Sequence, residues 1–379
     1  MAGPNSARRA GVLLLASLAS GCGPKSPAAP PSKEPVIEAT PTVITPHDDE
    51  APEQMFERAR GLLIMNRGAD AARLFDRLAE QGGRLTPLAR FNAGIGWEQA
   101  GDRATALLRF RAAAVLAPTG EAGKWARLRQ ARIEGYTEQW TELAATADIL
   151  IARTDLTQVE QLEAWGDKAL ALVESGDPDG ALRFIAKGRD IIEALHLGDG
   201  GKLPLEVAQI DFALGEVRKL RSEAIVFVPL PPNFAGALEQ RCQGLLDAQS
   251  AYSDAMRSYD AHWAAMSGFR VGELYQRLHR DVLSMPVPAA ADTVEKKRLF
   301  EGAMRLRYRV LLEKGLTMME HTTMVADRTG EASAWIERAR SAKHAIQAAL
   351  SETQGALSKL PYSEKELQKA MDDLAKKAP

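Results

Sequence analysis

The stretch "RFNAGIGWEQAGDRATALLRFRAAAVLAP", residues 90–118, has Gly94, Ala106 and Ala113 where a helical core ordinarily carries larger side chains. Helices that meet through Gly and Ala approach closely, and Trp97 and Phe110 supply the bulk beside them. Gly101 suits the left-handed conformation that stops a helix. Asp102 suits the cap of the next helix, and Pro118 cannot continue it. The stretch therefore predicts two short antiparallel helices joined by a tight turn.

This pattern resembles the tetratricopeptide repeat, a helix–turn–helix unit of 34 residues. With Pro87 as its first place, the signature positions fall on Ala93, Gly94, Trp97, Ala106, Phe110, Ala113 and Pro118, and all fit; the first aromatic place is Arg90, which departs. One period forward, Gly135 and Ala147 take the places of Gly101 and Ala113, and Trp140 takes that of Ala106. One period back lie Leu63, Ala72 and Ala79, with Met55 and Phe56 in the first helix. A further unit follows in "ALALVESGDPDGALRFIAKG", residues 169–188. There Gly176 stops a helix, Asp177 caps the next, Pro178 sits at its first position, and Ala169, Ala181 and Gly188 are the small residues. The expectation is an all-α chain, with a tetratricopeptide-like α-solenoid over residues 53–200.

A single hairpin cannot bury its apolar face alone; a stack can, and it curves into a superhelix with a hollow side. The resemblance implies that the first helix of each pair lines that hollow. In the third unit, counted from Glu121, the exposed places are Trp125, Arg129 and Arg132, spaced to lie on one helical stripe. In the second unit they are Phe91, Ile95, Glu98 and Gln99. An indole beside two guanidinium groups suits a peptide carrying a carboxylate. The other reading puts Trp125 in the core, with Arg129 and Arg132 on a solvated face. The carboxylate-clamp form of the family matches at Asn92 but not at Glu57 and Gly61, so binding of chaperone tails is not expected.

Upstream, residues 1–22 read "MAGPNSARRAGVLLLASLASGC". Arg8 and Arg9 form a basic segment, and Val12 to Leu18 an apolar run far short of the ~20 residues a spanning helix needs. The run ends in Ala19, Ser20, Gly21 and Cys22, which resembles the lipobox of bacterial lipoproteins, although Leu18 stands one place earlier than that family's leucine. The resemblance implies a signal peptide cleaved before Cys22 and a lipid on its thiol, hence membrane attachment in a bacterial cell envelope. Gly23, rather than Asp, points to the outer membrane, facing the periplasm. An ordinary cleaved signal peptide is the alternative. Residues 23–52 carry eight prolines and few large apolar groups, a composition that predicts an extended tether reaching up to roughly 90 Å at ~3.1 Å per residue.

Beyond the repeats, residues 201–358 predict long helices, in a bundle or in further hairpins, with a tail over 359–379. Residues 205–226 read as one more helix, and the run "AIVFVPLPPNF", 224–234, as a buried non-helical crossover, with a short strand or a partner-binding segment as the alternative. Leu238, Leu245, Tyr252, Tyr259 and Met266 then recur every seven residues, with Cys242, Gln249, Met256 and Trp263 as a second series. That spacing predicts one long helix running or breaking near Gly268. A further helix is expected from about Asp292 to Gly330, another through Trp335 and Leu350, and a capping box at Ser363 and Glu366. The stretches "GFRVGELYQRLHRDVLSMPVP" and "YRVLLEKGLTMMEHT" look like the C-terminal parts of tetratricopeptide lipoproteins of envelope and gliding machinery.

Composition limits the chemistry. The chain has 379 residues, a net charge of −2, 45% hydrophobic residues and 26% charged ones. That balance gives no support to nucleic-acid binding. Cys22 and Cys242 are the only cysteines, which argues against a disulfide framework and against zinc sites built on cysteine pairs; Cys242 reads as a buried thiol. None of the six histidines forms an HExxH or a close pair, and there is no GxSxG, Walker loop or strand-linked GxGxxG. His262 beside Trp263 reads as a helix-surface or bundle residue. No cofactor, metal or catalytic residue is predicted. The expected function is a lipid-anchored scaffold, not an enzyme, that binds another envelope protein or peptide. The alternative is a component of an envelope enzyme system, such as peptidoglycan processing, with the repeats as adaptor.

Overall fold

The tight turns of the first four hairpins each pass through a left-handed residue, and in the second and fourth an aspartate cap follows it. The computed structural model of the chain describes residues 50–289 and 291–377, with side chains through 370. Cys22, the leader 1–22 and the tether as far as residue 49 lie outside the described residues. Four hairpins come first: α1 (Pro52–Ile64) with α2 (Gly68–Gln81), α3 (Thr86–Gln99) with α4 (Arg103–Leu116), α5 (Glu121–Tyr136) with α6 (Trp140–Ile151), and α7 (Gln158–Glu174) with α8 (Pro178–Ala194). Their turns pass through positive φ at Asn66, Gly101, Glu138 and Gly176. The Asp102 carboxylate accepts from the Thr105 N–H at 2.9 Å, and Asp177 accepts from Gly180 at 2.8 Å. Each satisfies a backbone donor that the helix start leaves unpaired.

The small-residue contacts form as the sequence requires. A Cβ on Gly94 would stand 2.5 Å from the Phe110 ring, and Ala106, Phe110 and Ala113 are fully buried. Arg90, the departure from the repeat pattern, takes up another role. With Arg109 and the Trp97 indole it converges on Asp76 of the preceding hairpin, at 3.1, 2.6 and 3.0 Å. Glu50, at the end of the expected tether, accepts from Arg58 and is half-buried.

The third hairpin departs from the 34-residue register. Helix α5 continues past Gly135, which is buried inside it, and the left-handed residue is Glu138, three places further on. The turn closes with the Glu138 N–H on the Gly135 carbonyl and the Gln139 N–H on that of Glu134. Trp140 therefore opens α6 and is half-buried, and the tight helix–helix places are taken by Leu143, Ala147 and Leu150, all fully buried. A left-handed non-glycine costs about 1–2 kcal/mol. Here the carboxylate of Glu138 is clasped by Arg338, with N···O distances of 2.6 and 2.8 Å.

A short 3₁₀ turn (Leu205–Val207) leads into α9 (Ala208–Glu223), which pairs with α10 (Phe234–Met256); α11 (Ala261–Leu283) pairs with α12 (Val294–Thr329). The expected single helix through residues 238–266 is in fact two. The chain turns at 257–260, where Tyr259 has φ 56° and is 74% exposed, and Asp260 caps α11 through the N–H groups of His262 and Trp263. Leu245, Tyr252 and Met266 of the seven-residue series are buried, whereas Cys242 is only half-buried. Gly268, the expected break, lies inside α11 against Thr322. In the crossover before α10 only Phe227 is fully buried; Val226, Val228 and Leu230 are exposed.

Helix α13 (Ala334–Ser358) packs on α11 and α12, and α14 (Glu364–Lys377) folds back onto α12, where Leu360 and Leu367 approach Gly302. Ser363 and Glu366 form the expected capping box, and Gly330 ends α12 in the left-handed conformation. A buried polar knot joins the two halves. Glu216 accepts from Lys219, Tyr252 and Arg270 at 2.8, 2.8 and 2.6 Å, and Arg270 reaches Glu174 at 3.2 Å. The described chain is thus all-α, an α-solenoid of hairpins continued by longer helices.

Candidate functional site

The first helices α3, α5, α7 and α9 stack side by side. Against them come two distant segments: residues 260–263 at the start of α11, and Glu331 in the turn before α13. Together they enclose a cavity of about 250 Å³. The hollow is therefore narrowed at this place by the chain's own later residues and is not a free groove along its whole length.

Tyr136, at the end of α5, is the hinge of the closure. Its hydroxyl donates to the Glu331 carboxylate. The His262 ring stacks on its ring at 3.7 Å, and the Arg103 guanidinium stands 3.8 Å from the ring centroid, which the geometry places on the opposite face. Burial works against the charge of Glu331, but His262, Tyr136 and Ser333 outweigh it and hold the carboxyl down to about 2. His262 Nδ1 is 3.7 Å from Glu331, an electrostatic contact beyond hydrogen-bond length. Burial pushes the Tyr136 hydroxyl up, as does its bond to Glu331.

Three arginines line the cavity, and they are not equivalent. Arg132 makes a forked contact with the buried Glu163 and reaches Glu206 at 3.3 Å. Burial opposes its charge, yet these carboxylates raise its pKa, so it stays cationic. Arg129 pairs with Glu98 at 3.1 Å. Arg103 has no ion pair or hydrogen bond with any described residue, and its guanidinium stands over the Tyr136 ring.

Deeper in the wall lie buried polar atoms that lack a hydrogen bond among the described residues. Asp167 and Gln209 are each 2% exposed and His262 7%. Asp167 Oδ2, Gln209 Oε1 and both imidazole nitrogens make no hydrogen bond with any described residue. Burial pushes the Asp167 carboxyl well above its usual range, and the nearby Glu163 charge adds to this, while Arg132 and a bond from the Gln209 side chain oppose it. The Arg103 guanidinium, the Asp167 carboxyl, the Gln209 amide and the His262 imidazole share this space with the carboxylates of Glu98, Asp260 and Glu331, a polar wall of mixed charge.

Of the residues picked from the sequence, Glu98, Arg129 and Arg132 come together here. Trp125 does not line the cavity. It is 41% exposed, with Lys124 over its ring at 4.9 Å, and so belongs neither to the core nor to this site. Phe91 and Ile95 are half-buried beside Phe110, and the exposed Gln99 donates to the Leu63 carbonyl at 3.3 Å. Sequence reasoning missed Arg103, Tyr136, Asp167, Gln209 and Glu331, and read His262 as a surface or bundle residue. The one local signal was Arg103 beside the Asp102 cap, at the mouth of the recognised hairpin.

A scan against protein-family models finds no match for this chain, and no curated protein matches it in sequence. Among solved structures it is similar to a tetratricopeptide repeat protein from Parabacteroides merdae, with 11% sequence identity and a TM-score of 0.41, over 80% of this chain and 98% of that one.

Proposed function

We propose that this protein is a helical-hairpin scaffold, without a reaction of its own, that binds another polypeptide on the side lined by its first helices. In the same reading it works at a bacterial cell envelope, held to the outer membrane by a lipid on Cys22 and a proline-rich tether. A tether raises the effective concentration of the site near its partner without adding a contact. The observation that supports the reading best is the cavity, whose wall carries Arg103 without an ion pair and buried atoms of Asp167 and Gln209 without a hydrogen-bond partner among the described residues. Unpaired buried polar groups are uncommon in folded chains, and a ligand is one thing that satisfies them.

Photocrosslinking in intact cells tests it. A photoreactive residue in place of Arg129, at the cavity, should trap a discrete polypeptide. The same residue at Val115, 70% exposed on α4, should not. Equal labelling from both positions, or none from position 129, would refute the scaffold reading.

A further inference from the structure

We propose that the contact between the α5–α6 turn and the segment entering α13 is a reversible latch, which holds the superhelix narrowed at the cavity and widens the hollow when it parts. The latch does not depend on the scaffold reading; where that reading holds, it governs the partner's access.

The contact is polar where the packing between hairpins is apolar. On one side a single turn supplies Tyr136, Glu138 and Trp140. On the other stand His262, Glu331 and Arg338. The Tyr136 hydroxyl donates to Glu331, the His262 ring stacks on the Tyr136 ring, and Arg338 clasps Glu138 at 2.6 and 2.8 Å. Neither α5 nor α6 packs along α11, α12 or α13. Among the described residues, the apolar core that runs from α7 to α14 takes only Trp140 from the first six helices. Parting the latch therefore exposes little apolar surface, and the force that binds neighbouring hairpins hardly resists it.

The charges resist it little more. An ion pair is costly to break when one partner stays buried alone. Here the partners sit on opposite sides of the gap and reach water together. The side chains of Arg338 and Glu138 are 41% and 27% exposed even when joined. Pairs of that kind contribute little, and salt weakens them further.

An opposing set lies in the cavity wall. Asp167 and Gln209 line it from α7 and α9, and Asp167 Oδ2 and Gln209 Oε1 have no hydrogen bond among the described residues. Enclosure costs such atoms their hydration, and a wider hollow restores it. Groups that gain from closure and groups that gain from opening thus meet at one place, which gives this element two arrangements. No separate hinge is needed. Small rotations of α5 and α6 on α7 and α8, and of these on α9 and α10, add up to the gap.

The test is a distance measured across the latch by pulsed electron spin resonance. Spin labels go on Ala145→Cys of α6 and Met324→Cys of α12, both exposed positions, in the full chain carrying Cys22→Ser and Cys242→Ser. The expected result is two distances, the longer gaining population from about 0.05 to about 1 M salt. Arg338→Glu should raise the open-to-closed ratio about fivefold or more, because a clasp becomes a repulsion. The swapped pair, Glu138→Arg with Arg338→Glu, should return the ratio toward its starting value. Helical content by circular dichroism should stay the same throughout. A single distance that neither salt nor Arg338→Glu moves would overturn the proposal. So would opening that the swap does not reverse, or opening accompanied by loss of helix. A polypeptide trapped from position 129 in a chain whose distance never changes would keep the scaffold and remove the latch. A latch that opens in a chain that traps nothing would stand by itself and count against the scaffold.

Discussion

Replacing Gly94 by Ala tests the contact on which the hairpin stack depends. An added Cβ would lie 2.5, 2.7 and 2.9 Å from three atoms of the Phe110 ring, which is itself fully buried. Carbon atoms pack best at about 3.5–4.0 Å, so the ring would have to retreat by about 1 Å into a close-packed core. Overpacking of this kind costs about 1–3 kcal/mol. Against that, Ala is the better helix former by about 1 kcal/mol. The net expectation is a loss of up to about 2 kcal/mol. Gly61, inside α1, offers a control, because a Cβ there meets nothing within 4 Å. Gly61→Ala should therefore stabilise by about 0.5–1 kcal/mol. The propensity gain is common to both substitutions, so the difference between them isolates the packing contribution. Urea unfolding of the full chain, followed by circular dichroism, should move the two midpoints in opposite directions or leave Gly94→Ala clearly the lower. Adding Phe110→Leu to Gly94→Ala should cost less than the sum of the single changes, because both act on one contact. Equal shifts for Gly94→Ala and Gly61→Ala, or strict additivity with Phe110→Leu, would show that the close approach is not what constrains position 94.

The other predictions concern charges and the anchor. Arg132→Met strands Glu163, which is 1% exposed, and should cost about 3–5 kcal/mol in urea unfolding; Arg129→Met breaks the half-exposed pair with Glu98 and should cost no more than about 1 kcal/mol. Burial and the neighbouring Asp254 charge push the Asp211 carboxyl up to about 7. The folded state therefore keeps a proton that the unfolded chain releases near 4, so this group makes stability fall as pH rises from about 4 to 7. Asp211→Asn should flatten the melting profile over that window, and an unchanged slope would refute the assignment. Metabolic labelling with a palmitate analogue should mark the protein and be lost in Cys22→Ser; label retained in that variant would exclude Cys22 as the lipid site.

The sequence by itself determined the helical content and the positions of many helix ends, because those are decided within a turn or two of chain. Asp102, Asp177 and Ser363 cap the helices they precede, and Gly101, Gly176 and Gly330 stop those they follow, through hydrogen bonds between near neighbours. The small-residue place at Gly94 was legible for the same reason, since its partner Phe110 sits in the next helix of the same hairpin. Glu98, Arg129 and Arg132 were legible as one face because helical spacing fixes which residues of neighbouring first helices align.

Only the tertiary structure decided the rest. Gly135 and Glu138 were both available to end α5. The choice of Glu138 goes with a forked bond to Arg338, a residue 200 positions away. The seven-residue series through residues 238–266 was as compatible with one long helix as with two, and the turn at 257–260 lets the start of α11 return to α5. The Tyr136–Glu331 contact spans 195 residues. Such closure is the sum of small rotations from one hairpin to the next, and no local pattern records that sum. For that reason the two arginines that lean on their own chain's carboxylates could be picked from the sequence, while the unpaired Arg103 emerged only once the superhelix had brought Tyr136, His262 and Glu331 to one place.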